Sequence, residues 1–159
     1  MKATILFLCT GNSCRSQMAE GWARRLKGDV IEAASTGIEA HGVNPHAITG
    51  IKEAGVEISG HRSKTPAELD AVRFDYVVTV CGHAGERCPV FPVGTRVVHV
   101  GFEAPPSLTR RLADGEEKLA VYRRVRGEIR RFVSTRPDSL ESLSPQASVP
   151  STSPCNTTP

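Results

Sequence analysis

Two hydrophobic patterns alternate along the chain: short apolar runs, and longer stretches where apolar residues recur every three or four positions. The first marks strands buried on both faces, and the second marks amphipathic helices. Residues 4–8, Thr-Ile-Leu-Phe-Leu, predict a central parallel strand, and Met18, Ala19, Trp22, Ala23 and Leu26 predict the helix after it, with Ser16 as its N-cap. Residues 30–34 predict a second strand, broken by Ser35-Thr36-Gly37. Asn44-Pro45 is a helix start, with Ile48, Ile51 and Ala54 as the buried stripe and Gly55 as the stop.

Thr65-Pro66 opens a short helix expected over residues 66–72, and residues 76–80 and 97–100 are the third and fourth strands. Between those strands lies a segment with Cys88 and two prolines, unsuited to regular structure. Leu119, Tyr122, Val125, Ile129 and Phe132 make residues 116–133 a long amphipathic helix with its arginines on a solvated face. The alternation predicts an α/β fold: a four-stranded parallel sheet flanked by helices on both faces. Residues 1–135 form the expected domain. Residues 136–159 are Ser, Thr and Pro with few bulky apolar groups, an expected disordered tail in which Cys155 is a bystander.

Composition changes this picture little. A chain of 159 residues supports one domain, and a net charge of +3 only mildly favours anionic ligands. Arginines without interleaved aromatics argue against nucleic acid. No run approaches the length needed to span a bilayer, and the short apolar start lacks a signal-peptide cleavage pattern. The expectation is a cytoplasmic monomer with no membrane association, in which cysteines are reactive rather than structural.

The candidate chemistry lies in Cys9-Thr10-Gly11-Asn12-Ser13-Cys14-Arg15-Ser16, between the first strand and the first helix. A C-x5-R loop there can wrap a tetrahedral oxyanion beneath a thiolate. The amides of Thr10, Gly11, Asn12, Ser13, Cys14 and Arg15 form the nest, and the Arg15 fork grips two oxygens. Cys9 is the nucleophile, favoured as thiolate by the cation and the helix N-terminus. Ser16 can hydrogen-bond Cys9, Gly11 allows close approach, and Asn12 suits a left-handed position from which its side chain pins the loop. Cys14 reads as structural. His41, His61 and His99 read as loop hydrogen-bonding residues rather than bases.

This loop, with Gly37-Ile-Glu-Ala-His-Gly-Val-Asn-Pro45, Val-Val-Thr-Val-Cys81 and Arg87-Cys88-Pro89, resembles the thioredoxin-coupled arsenate reductases, built on the low-molecular-weight tyrosine phosphatase fold. The likeness spans roughly residues 2–134. It implies arsenate as substrate, thioredoxin as reductant, and Cys9, Cys81, Cys88, Arg15 and Ser16 as the catalytic set. It further implies a relay in which a Cys9–Cys81 and then a Cys81–Cys88 disulfide forms. A zinc site is the competing reading of the last two cysteines. Their spacing is wider than a zinc knuckle and no second ligand pair stands nearby, so no metal or organic cofactor is expected.

Two departures from that family matter. Ala104 stands where its general acid, an aspartate, is found, and Glu103 is one residue off. Asn12, Glu20 and Ser35 match three members of a potassium site, but Lys64 replaces the fourth, so its ammonium is expected to take the cation's place. The competing functions are a low-molecular-weight protein tyrosine phosphatase and a non-enzymatic oxyanion or arsenite sensor.

Overall fold

In the computed structural model, which describes residues 2–69, 72–81, 91, 93–113 and 115–135, strand β1 (Ala3–Cys9) runs into helix α1 (Arg15–Lys27). Then come β2 (Ile31–Gly37), α2 (Pro45–Lys52), a 3-10 turn (Pro66–Leu69), β3 (Tyr76–Thr79), β4 (Arg96–His99), α3 (Pro105–Leu108) and α4 (Glu116–Ser134). All neighbouring strands are parallel, in the order β2-β1-β3-β4. The order reverses direction between β1 and β3, and the carboxyl ends flanking such a reversal form a crevice where ligands bind in open α/β sheets. The Cys9 loop leaves the sheet at that point.

Ile5, Leu6, Phe7 and Leu8 are all fully buried. Successive strand side chains face opposite ways, so both faces of β1 are covered, as its unbroken apolar run requires. Helix α1 buries Met18, Ala19, Trp22 and Ala23 and packs on β1, β2 and α4. Trp22 Nε1 donates to the Arg126 carbonyl (3.2 Å), and the Arg130 guanidinium lies 5.5 Å from the Trp22 ring centroid. Asn44 caps α2 as expected: its side chain accepts from the amides of His46 (2.8 Å) and Ala47 (3.2 Å).

Four expectations need correction. Ser16 is not the N-cap; α1 begins at Arg15, with Cys14 in the cap position, and Ser16 is buried within the first turn. Strand β2 continues through Ser35, Thr36 and Gly37, which pair with Phe7, Leu8 and Cys9. The ladder to β1 holds these polar residues in the sheet, and the Ser35 hydroxyl finds a buried partner in Glu20. The helix expected over residues 66–72 is a 3-10 turn where described, opened by the Thr65 amide on Glu68 Oε2 (3.1 Å). The last two strands are also each displaced or shortened by one residue, to Tyr76–Thr79 and Arg96–His99. Residues 136–159 and Cys88 lie outside the described residues.

Candidate active site

The loop after β1 and the first turn of α1 enclose a cavity of about 240 Å3. Among the described residues, Cys9, Thr10, Gly11, Ser13, Cys14 and Arg15 line one side, and His41, Ala104, Pro106 and Ser107 also line the cavity. Among the expected oxyanion-binding residues, Asn12 is absent from that lining because its side chain is folded beneath the loop.

Asn12 is fully buried at φ 50°, the left-handed conformation that asparagine tolerates better than most residues. Its Nδ2 donates to Ser16 Oγ (2.8 Å) and Ser35 Oγ (3.0 Å). Its Oδ1 accepts from Gln17 Nε2 (3.0 Å) and the Lys64 amide (2.9 Å), and its carbonyl accepts from Ser63 Oγ (2.6 Å). Gln17 is held in turn by a ring nitrogen of His61 (Nδ1, 2.9 Å). A buried polar network satisfied in this way is rigid. It fixes the loop from below and leaves the upper surface to a ligand.

Cys9 is 3% exposed, and its Sγ lies 2.8 Å from Ser16 Oγ. Because Asn12 already donates to Ser16 Oγ, the Ser16 hydrogen is free to point at the sulfur. The hydroxyl therefore stabilises a thiolate, which accepts but cannot donate. Cys14 behaves differently: burial, reinforced by Cys9 and opposed by Arg15, pushes its thiol far above the usual range. The two loop cysteines differ in setting, one beside a hydroxyl and one held protonated by burial. Arg15 Nη1 donates to the Phe102 carbonyl (2.9 Å), which ties the guanidinium to the segment after β4.

Cys81 follows β3 and is also 3% exposed. The register that pairs Leu8 with Thr79 carries Thr10 opposite Cys81, and Thr10 Oγ1 lies 3.4 Å from Cys81 Sγ. The sheet thus brings the second thiol against the oxyanion loop, although 71 residues separate the two positions.

The residues matched to a cation site also meet. Glu20 is 3% exposed, and its carboxylate accepts from Ser35 Oγ (2.6 Å) and pairs with Arg24 Nη2 (2.8 Å). The ammonium of Lys64 donates to the Arg62 carbonyl (3.4 Å), and burial draws this amine below its usual range while Glu20 opposes the shift. The contact cation of Glu20 is therefore Arg24. Glu103, the other acidic candidate, pairs with Arg124 of α4 (2.9 Å) and does not line the cavity.

Sequence reasoning missed Gln17, the Thr10–Cys81 contact and α3. It also passed over His41 as a cavity residue. The nearest signal for Gln17 is its place one residue after Ser16, on the buried side of the first turn.

Fold and site together define an enzyme class that holds a tetrahedral oxyanion in a cysteine-arginine loop. Residues 4–102 match the model of the low molecular weight phosphotyrosine protein phosphatase family. Over 136 residues the chain is 50% identical to an arsenate reductase of Halalkalibacterium halodurans, covering 84% of this chain and 94% of the relative. A solved arsenate reductase in an oxidized state superposes with a TM-score of 0.65 at 33% identity, covering 84% and 94% of the two chains. A thioredoxin-dependent arsenate reductase of Corynebacterium glutamicum aligns at 26% identity and a TM-score of 0.58, covering 82% of this chain and 60% of that one. The chain belongs to the low molecular weight phosphotyrosine protein phosphatase family, and within it to the arsenate reductases.

No helix among the described residues is long and apolar enough to cross a membrane.

Proposed function

We propose that this protein reduces arsenate to arsenite through Cys9, Cys81 and Cys88, with thioredoxin returning the thiols to their reduced state. The observation that carries the proposal is the pairing of two thiols at one oxyanion loop. Cys9 is hydrogen-bonded by Ser16, and Cys81 rests against Thr10 of the same loop. A phosphatase needs only the first of these.

In the proposed sequence the Cys9 thiolate attacks arsenic and an arsenate oxygen leaves as water, giving a Cys9 thiol-arsenate. The Cys81 thiolate attacks Cys9 Sγ. The sulfur–arsenic bonding pair passes to arsenic, which departs as arsenite, and the two sulfurs are oxidised to a disulfide. Cys88 then attacks Cys81 Sγ, releases the Cys9 thiolate and leaves a Cys81–Cys88 disulfide for an external dithiol. Cys88 enters by its sequence position and the family resemblance. Thioredoxin is favoured because a relative of the same fold is described as thioredoxin-dependent.

The test is NADPH oxidation with arsenate, thioredoxin and thioredoxin reductase. Turnover should require arsenate and vanish in Cys9→Ser, Cys81→Ser and Cys88→Ser. Hydrolysis of p-nitrophenyl phosphate that survives Cys81→Ser, without arsenate turnover, would establish the phosphatase instead. Stoichiometric oxyanion binding without any turnover would establish a sensor.

A further inference from the structure

Joining arsenate to Cys9 expels an oxygen, and that oxygen leaves readily only as water, so the step needs a proton donor at the cavity. Among the described residues, the titratable or charged side chains lining the cavity are Cys9, Cys14, Arg15 and His41. Cys9 is the nucleophile. Cys14 holds its proton because of burial, and an arginine does not release one in proteins. Ala104 offers a methyl group, and the neighbouring Glu103 carboxylate is occupied by Arg124. Imidazole is the side chain that exchanges a proton near neutrality.

The backbone places His41 at the loop with little freedom. Beyond β2 the amides of Ile38, Glu39 and His41 donate to the carbonyls of Cys9 (3.0 Å), Thr10 (2.9 Å) and Gly11 (2.9 Å). This lacing carries the segment alongside the loop residue by residue. The imidazole then covers Gly11 so closely that a Cβ built there would lie 2.3 Å from His41 Nδ1. Glycine at position 11 is therefore the space the ring occupies. The opposite edge, Nε2, lies 2.6 Å from Glu39 Oε1. The Glu39 carboxylate accepts a hydrogen bond from the Nε2–H, which leaves Nδ1 turned toward the loop. With 51% of the side chain exposed, solvent can reload the ring after each transfer.

We infer that His41 is the general acid of the arsenate step, oriented by Glu39. This rests on the proposed arsenate reduction. As the Cys9–arsenic bond forms and an arsenic–oxygen bond breaks, the imidazolium gives its Nδ1 proton to the departing hydroxide, which leaves as water. Arsenic stays in its oxidised state, and the neutral imidazole is reprotonated from solvent. The groups facing the ring are Glu39 at Nε2, with Arg15, Cys9 and Cys14 across the cavity.

The experiment compares the wild type, His41→Gln, and His41→Gln combined with Ala104→Asp in the thioredoxin-coupled assay across pH. His41→Gln should lower kcat about 10²-fold, the low end for removing a general acid, with KM little changed. The pH profile of kcat should differ between this variant and the wild type. Ala104→Asp should restore at least part of the lost kcat. Iodoacetamide alkylation of Cys9 and the thermal midpoint should match the wild type, which separates loss of the acid from loss of the loop. A His41→Gln enzyme with wild-type kcat and pH profile would overturn the assignment, as would a change confined to KM. Absence of arsenate turnover in the wild type itself would instead remove the functional reading, and this inference with it.

Discussion

Thr10 Oγ1 stands 3.4 Å from Cys81 Sγ, across the ends of two strands that are neighbours in the sheet but far apart in sequence. In the proposed relay a hydroxyl there stabilises the Cys81 thiolate that attacks Cys9. Thr10→Val keeps the loop amide and the side-chain shape. A typical intramolecular hydrogen bond is worth about 1–1.5 kcal/mol, so disulfide formation after arsenate capture should slow about 5–10-fold. Single-turnover quench with thiol counting should show this while Cys9 alkylation in the absence of arsenate stays at the wild-type rate.

Ser16 acts on the other sulfur. Its hydroxyl lies 2.8 Å from Cys9 Sγ and is itself oriented by Asn12. Ser16→Ala removes the donor with minimal change in volume. Iodoacetamide alkylation of Cys9 at neutral pH should slow by roughly 5–10-fold, the same single-bond magnitude. An unchanged rate would show that the loop amides and Arg15 alone hold the anion.

These two contacts mark what the sequence disclosed and what it withheld. Ser16 lies seven residues from Cys9, within one strand–loop–helix unit, so its partnership was legible from local order. Thr10 and Cys81 meet only because β3 lies beside β1, and strand order is not written in any local pattern. The Asn12 network is hidden for the same reason: Ser35, Ser63 and Lys64 come from segments 23 to 52 residues away. Local propensity ends β2 at Ala34 because Ser35-Thr36-Gly37 resembles a turn, whereas the ladder to β1 supplies the pairing that propensity lacks. The unbroken run of β1 and the three-and-four spacing of α4 carry their own burial pattern, and both were legible.

Asn12 should be the most costly single truncation in the loop. Asn12→Ala removes four side-chain hydrogen bonds and leaves a β-carbon residue at φ 50°. The combined loss is expected to be about 2–4 kcal/mol. Denaturant unfolding should show a lowered midpoint at unchanged slope, with Asn12→Gly intermediate in effect on the backbone component.

Glu53 binds α2 to α4 through Arg123 (Nε, 2.7 Å) and Arg126 (Nη1, 3.2 Å). Hydrogen bonding to Arg123 leads the causes that lower its carboxyl from 4.5 to about 2. A carboxyl lowered on folding contributes stability above its unfolded value and loses it as pH falls through the folded value. Glu53→Gln should therefore lower the thermal midpoint at neutral pH. Its difference from the wild type should shrink between pH 4.5 and about 2. A difference that does not vary with pH would assign the effect to packing.

Potassium should have no specific effect. Glu20 already pairs with Arg24 and accepts from Ser35, and the Lys64 amine lies nearby. We expect equal turnover and equal thermal midpoints in matched potassium and sodium chloride. A gain specific to potassium would contradict this.

In the proposed reduction, arsenic captured at Cys9 leaves by electron transfer through Cys81. The most direct measurement is a disulfide map of the enzyme after a single turnover with stoichiometric arsenate and no external reductant. Peptide mass spectrometry is expected to show Cys81 joined to Cys88 with Cys9 free, and Cys9 joined to Cys81 when Cys88 is replaced by serine. Arsenite formed with Cys81 still a free thiol would contradict the account.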